Sequence, residues 1–419
     1  YSIQKAILEW SKILFLKYKI MKKVLFFLMV MLIGGVFPTL VACSKNSPVA
    51  PDFSFGDTDK DDQEGIKPGK VYDWEKNRKE VLQSTDMVLC YSGASNRAVW
   101  NKDLMSNYVV YKDQQNKKHW LFDSFLFLEI LDINTIKAYT KGFDKEFESA
   151  NKADWEGLLN TYFASSSGIA GLDKCVAEQQ VELGTPAHKR QVVISIPEPM
   201  VNKFSAISSS TTKYWGKIDG KELDFSKAED RVKACVWFID QVRARFAQKN
   251  FKNVELAGFY WVAEDATATR SILNSVASYL KELKYSFNWI PYFTADGHTE
   301  WKKFGFTSTY FQPNYYFQNN LTKDRVTEAC KKAIKYDMDM ELEFEDNACK
   351  YPVETSKAYR LRDYMDIFKE QGIWKSKRLA YYQNNTALVT LKNSVEPDDQ
   401  TLYHDFCQFV ISRPMRDSH

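Results

Sequence analysis

The chain has 419 residues, 44% hydrophobic and 15% aromatic, which is ample for a large buried core and excludes a wholly disordered protein. Its formal charge of +3 misleads, because residues 1–42 hold six lysines and one glutamate, leaving 51 basic against 53 acidic residues. Without a basic excess nothing tracks a phosphate backbone, and nucleic acid is not an expected partner.

Residues 1–20 precede Met21, the first credible start, and are set aside as an upstream extension. Lys22 and Lys23 follow Met21, then an uncharged apolar run over 24–41 that ends in Leu40-Val41-Ala42-Cys43. A short basic region, an apolar stretch and a small residue before a cut form a secretory signal. A cysteine just after the cut supplies the thiol that accepts diacylglycerol. The expectation is a lipoprotein, cut before Cys43 and lipid-anchored to a bacterial membrane at the outer membrane or cell surface. A transmembrane anchor competes, since about 20 apolar residues span a bilayer, but Gly34, Gly35 and Pro38 weaken a continuous helix.

Residues 43–72 are polar, with Pro48, Pro51, Pro68 and an acidic cluster at 57–62, and read as a disordered tether. No second Gly/Ser/Pro-rich linker follows, so residues 73–419 read as one domain. Eight apolar strand-like runs recur in it, at 86–92, 121–128, 191–196, 254–262, 286–293, 307–311, 338–344 and 378–382. Helical stripes lie between several of them: Val232, Cys235, Val236, Ile239, Val242 and Phe246; Ile272, Val276, Leu280 and Leu283; Val326, Cys330 and Ile334; Tyr359, Tyr364 and Phe368. Leu402, Phe406, Phe409 and Val410 form a closing helix. This rhythm predicts an α/β fold, a (β/α)8 TIM-like barrel, with an open α/β sheet as the competing arrangement. Two crossovers are irregular: the first contains a hairpin around Gln114-Gln115-Asn116, and the fifth, near Trp301, is short.

Functional groups of such a barrel gather at the C-terminal ends of its strands. The fourth run ends in Glu264-Asp265, and alternation puts Tyr260, Val262 and Glu264 on one face. Asp265 suits the cap of a helix beginning near Ala266, which leaves Glu264 free. In the seventh run Met338, Met340, Leu342 and Phe344 share one face, while Asp339, Glu341, Glu343 and Glu345 share the other. An exposed edge strand shows the same alternation. Inside a barrel it sends the acids inward, where carboxylates are costly unless used. Glu264 and Glu343 are the expected catalytic pair, with Glu341 and Glu345 as alternatives. Two carboxyls across a cleft suit glycosidic cleavage: one protonates the leaving oxygen and the other attacks or activates water.

The remaining strand ends supply Tyr91, Glu129, Glu198, Tyr292, Asp296, Gln312, Asn314, Tyr315 and Tyr382, which with Tyr260 make a set of expected substrate-binding residues. Aromatic faces stack on sugars, while amides and acids bond their hydroxyls. No G-x-S-x-G, Walker or H-E-x-x-H motif is present, and the five histidines are scattered. No metal and no cofactor are expected. Six cysteines besides Cys43 are dispersed and read mostly as small buried hydrophobes, with room for one bridge.

The segments Asp86-Met87-Val88-Leu89-Cys90-Tyr91, 119–129 (His119-Trp120-Leu121-Phe122-Asp123-Ser124-Phe125-Leu126-Phe127-Leu128-Glu129) and Gly258-Phe259-Tyr260-Trp261 resemble a family of bacterial secreted proteins and lipoproteins catalogued as domain of unknown function 4855. The resemblance covers the chain from about residue 84 onward. More distantly, acids ending strands four and seven resemble the barrel clan of retaining glycoside hydrolases. That resemblance implies an acid/base role for Glu264 and a nucleophile role for Glu343. The clan usually places Asn before its acid/base, where Ala263 stands here. The functional expectation is an envelope-anchored, monomeric protein that cleaves a glycosidic bond in a polysaccharide or glycan. A glycan-binding lipoprotein that does not cut is the alternative.

Overall fold

The computed structural model describes residues 82, 84–142, 147–203 and 210–416. Two compact units are distinguished, Tyr1–Asp61 with Phe317–Leu321, and Asp62–Tyr316 with Thr322–His419. Of the first, the described residues include only Phe317–Leu321, a turn in which Leu321 N–H donates to Gln318 O at 3.1 Å. The secretory signal, Cys43 and the tether lie outside the described residues. None of the described helices is long and apolar enough to cross a membrane.

The second unit contains a closed barrel of eight strands. They are β1 (Asp86–Tyr91), β2 (Ser124–Leu128), β3 (Arg190–Ile196), β4 (Val254–Trp261), β5 (Ser286–Trp289), β6 (Ser308–Phe311), β7 (Asp339–Glu343) and β8 (Leu379–Tyr382). Each runs parallel to its neighbours, and β1 closes the ring by pairing with both β2 and β8. All eight apolar runs of the sequence therefore become barrel strands, and the open sheet is ruled out.

The crossovers carry α1 (Lys102–Val109), α2 (Lys152–Tyr162), α3 (Ile169–Leu183), α4 (Ala228–Lys249), α5 (Arg270–Glu282), α6 (Asp324–Lys335), α7 (Ala358–Glu370), α8 (Ile373–Ser376), α9 (Ala387–Asn393) and α10 (Pro397–Ile411). The first crossover holds α1 and an antiparallel pair, Val110–Lys112 with Lys118–Trp120. Asp113 Oδ1 accepts from Gln115 and Lys117 N–H, and Asn116 takes φ +65, a conformation Asn tolerates. Between β5 and β6 there is only the 3-10 turn His298–Glu300, so both irregular crossovers are as expected.

Three helical stripes are rotated from their expected positions. In α4 the buried face runs through Ala234, Cys235, Phe238, Ile239 and Val242, because Phe238 packs edge-on against Trp155 at 5.8 Å. In α6, Ala329 and Ala333 join Val326 and Cys330 inside while Ile334 is 52% exposed. Tyr359 is likewise 54% exposed, at the start of α7. All six described cysteines are buried and free, so no bridge forms among them.

Strand alternation divides the core in two. The barrel interior holds Met87, Leu89, Leu126, Leu128, Val193, Tyr260, Val262, Ile290, Tyr310 and Ala380. The opposite faces meet the helices, as where Phe344 and Tyr381 pack against Phe406 of α10. Below β1, buried Asp86 accepts from Arg413, from Tyr381 Oη at 2.6 Å and from Thr85 Oγ1 at 2.8 Å. Arg416 approaches its other oxygen at 3.5 Å. This ion pair ties the segment after α10 to the first strand.

Gly258 stands beside a register shift between Leu256 and Gly258, packed closely against β5. A Cβ there would lie 1.8 Å from Ser286 Oγ and 2.4 Å from Ser286 O. Gly258→Ala should therefore destabilise the barrel by about 3 kcal/mol, as overpacking of a rigid contact does. Ser286→Gly should not rescue it, because the carbonyl remains. Urea unfolding midpoints test this, and an unchanged midpoint would show that β4 and β5 separate freely.

Candidate active site

Strand β7 points its acids into the barrel, and their surroundings change along it. Asp339, at the lower end, accepts from Ser308 Oγ at 2.9 Å and from Arg378 N–H at 3.0 Å. Glu341 and Glu343 are 1% and 0% exposed, opposite Ala380 and Tyr382 of β8. An exposed edge strand is thereby excluded for β7. Glu341 Oε2 and Glu343 Oε1 accept no hydrogen bond.

Glu343 does have donors on its other side. Tyr364 of α7 donates its hydroxyl to Oε2, and the backbone amides of Tyr316 and Tyr315 pull the carboxyl downward. Burial outweighs them and holds its pKa above the usual carboxylate range. Glu341 is raised further, first by burial and then by the charges of Glu343 and Glu264, with only the Gln312 side chain lowering it. Of the two, Glu343 is better equipped to carry the charge and Glu341 to keep the proton.

Glu264 follows β4 by three residues and is exposed to water. Desolvation, with the charge of Asp265 beside it, nevertheless pushes its carboxyl up to about 7. Exposure and desolvation coexist where a carboxyl is crowded by protein and open on one side, and the open side makes about 7 an upper bound. Asp265 does not cap α5, which begins only at Arg270. It accepts from Thr267 N–H at 2.8 Å and closes the intervening turn. No described lysine or arginine forms an ion pair with Glu264, Glu341 or Glu343.

The other expected residues divide into two groups. Tyr91 and Tyr260 line the interior, and the charges of Glu264 and Glu341 raise the pKa of each beyond the effect of burial. Tyr292 is half-buried, bridged to Gln312 and within the field of Glu264. Tyr382 meets Tyr91 edge-on at 5.8 Å and donates to Glu345 Oε1 at 3.3 Å. Burial raises the half-buried Glu345 carboxyl, while that bond and Lys357 lower it.

The second group is held elsewhere. Glu129 is gripped by Arg97, with Nε at 2.9 Å and Nη2 at 2.8 Å, and accepts from Ala94 and Ile130 N–H. Glu198 accepts from Thr140 Oγ1 at 2.9 Å and Lys141 N–H at 2.7 Å, and burial raises its pKa. Asp296 is exposed and paired with Arg270 at 2.9 Å. Tyr315 donates to Asp363 at 2.6 Å, and Asn314 accepts from Phe293 N–H at 3.2 Å. Sequence reasoning missed Tyr364, Ser195 and Asn288. Tyr364 read only as part of a helical stripe, and the other two sit within strands rather than at their ends. No group of His, Cys, Asp and Glu among the described residues is arranged to hold a metal ion.

A carboxyl with a raised pKa retains a proton that the unfolded chain releases above pH ~4.5. Stability is then complete below that pH and falls as pH rises toward the folded pKa. Glu341→Gln does not titrate, so it should be more stable than the native protein at pH 7.5. The advantage should vanish near pH 4 and grow by about 1.4 kcal/mol per pH unit between. Thermal unfolding at the two pH values measures it, and equal differences at both would show that Glu341 is not held protonated.

Comparison with known proteins gives the chain a family. No curated protein matches. Among solved structures, concanavalin B is similar at 9% identity and TM-score 0.36, covering 77% of this chain and 99% of its own. A maltogenic α-amylase, AmyB of Thermotoga neapolitana, is similar at 10% identity and TM-score 0.39, covering 78% and 76%. The Rubisco of Pyrococcus horikoshii OT3 is similar at 7% identity and TM-score 0.35, covering 80% and 61%. The profile of one family spans residues 86–408, from the first barrel strand to the closing helix, and the chain belongs to that family, the domain of unknown function DUF4855.

Proposed function

We propose that the barrel is a glycoside hydrolase of the cell envelope, acting on a polysaccharide or glycan at the C-terminal mouth of its strands. The observation that carries this reading is that Glu341 and Glu343 lie within the field of Glu264 and that none of the three has a partner cation among the described residues. Such a site disfavours its own ionisation and favours positive charge on whatever it binds. The oxocarbenium-like transition state of glycosidic cleavage develops that charge. In this reading Glu264 delivers the proton to the leaving oxygen, and Glu343 attacks the anomeric carbon or activates water. Tyr364 holds the Glu343 carboxyl in place, and Tyr91, Tyr260 and Tyr292 offer ring faces to the sugar. Anchoring through Cys43 rests on the signal sequence alone and would confine substrates to those outside the cytoplasm.

A glycan-binding protein that does not cut is the second reading, favoured by the complete burial of Glu343. Separate Glu264→Gln and Glu343→Gln variants distinguish them in a screen of glycan hydrolysis and binding. Hydrolysis should fall roughly 100- to 10,000-fold in each, the usual worth of a positioned proton-transfer group or more, with binding retained. Unchanged behaviour of both variants sinks the carboxyl-pair mechanism.

The pH profile supplies a second measurement. Activity should fall as pH rises through the pKa of Glu264, no higher than about 7, because the acid must be protonated. The residual activity of Glu264→Gln should lack that limb. A limb that persists in the variant assigns it to another group.

A further inference from the structure

The barrel interior holds more acceptors than the two-carboxyl chemistry requires. Ser195 of β3 and Asn288 of β5 flank Tyr260 in register, on either side of β4. They are 2% and 0% exposed. Asn288 Nδ2 donates to Phe259 O at 3.0 Å and Ser286 Oγ at 2.9 Å, which fixes its amide and leaves Oδ1 as an acceptor without a donor. Ser195 Oγ is also without a partner, as is Oε1 of Gln312, whose side chain serves Glu341. With Glu341 Oε2 and Glu343 Oε1, these five buried oxygens lack a hydrogen-bond partner, as does Thr309 Oγ1 on β6. Four of the five can only accept while the carboxyls are ionised.

Tyr260 links the two ends of this arc, because it stands between Ser195 and Asn288 and feels the charges of Glu264 and Glu341. Glu341 is the surplus acid. Cleavage uses one proton donor and one nucleophile or base, and a third carboxyl, buried and without a cation, only raises the cost of the site. That cost is offset by a ligand that brings both positive charge and several N–H donors. A neutral hydroxyl brings one donor and no charge, and an N-acetyl group brings one N–H and an acceptor that would face other acceptors.

We infer that Glu341, held by Gln312, receives an ammonium group of the substrate, so that the glycan taken by this barrel carries amino sugars with free amines. The inference rests on the glycan reading above and narrows it to a cationic class. N-acetylated and uronic-acid glycans are disfavoured at the same position, the first by lost charge and size and the second by repulsion.

The test uses the full chain bearing Glu264→Gln, so that ligands are bound and not cut. Titration calorimetry compares glucosamine, galactosamine and their oligomers with the N-acetylated forms and with neutral hexose oligomers. The free amines should bind about 30-fold more tightly or better, the scale of a buried charge pair. Adding Glu341→Gln should erase that preference, and its circular dichroism spectrum checks that the barrel is intact. Neutral or N-acetylated ligands binding as tightly as the amines would overturn the substrate class and leave the glycan reading standing. A preference that survives Glu341→Gln would overturn the assignment to Glu341. If no sugar of any class is bound or cut, the glycan reading falls, and this inference with it.

Discussion

Everything at the mouth of this barrel depends on one constraint, the two-residue period of β7. Met340, Leu342 and Phe344 must face the helices, so Glu341 and Glu343 must face inward. Both are buried and no described cation compensates, so the carboxyls resist ionisation and leave oxygens without partners. Their neighbours follow from the same geometry. Gln312 just past β6 reaches Glu341, Tyr364 on α7 reaches Glu343, and Tyr382 on β8 stands opposite Glu343 in register. The barrel accepts a strand that weakens it at neutral pH.

The contrast between Asp86 and Glu341 makes the point in a second place. Both are buried acids on barrel strands. Asp86 receives guanidinium and hydroxyl donors and becomes part of the framework. Glu341 receives one amide and nothing charged. Burial alone therefore does not make an acid costly. The balance of its partners does, and the balance differs between the two ends of the same barrel.

Much of this fold could be read from the chain because its signals are local. Each strand is a short apolar run, and all eight survived in place, including the irregular first and fifth crossovers. Helix faces were less legible. Ala234 and Ala333 are too small to weigh in a hydrophobic stripe, yet their size is what lets a helix approach the sheet. At the candidate site, alternation put Glu341 and Glu343 on the inner face of β7, where they are buried, and strand position put Glu264 just past the end of β4. What the sequence does not encode locally is partnership. Glu129 has its Arg97 only 32 residues away, but nothing in either segment says that they meet. Tyr364 and Asn288 escaped notice for the same reason, since their importance lies in which backbone or carboxyl they reach.

The Asp86–Arg413 pair has a consequence in time as well as space. The partners lie 327 residues apart, and Tyr381 is almost as distant. During synthesis the first strand therefore emerges with an acid whose donors do not yet exist. The ring also cannot close until β8 arrives to pair with β1. Stable partial barrels are disfavoured on both counts, and folding waits for the last stretch of chain, as expected where contacts span great sequence distances. A polypeptide built this way stays unfolded for most of its translation, a window in which machinery that handles extended chains can engage it.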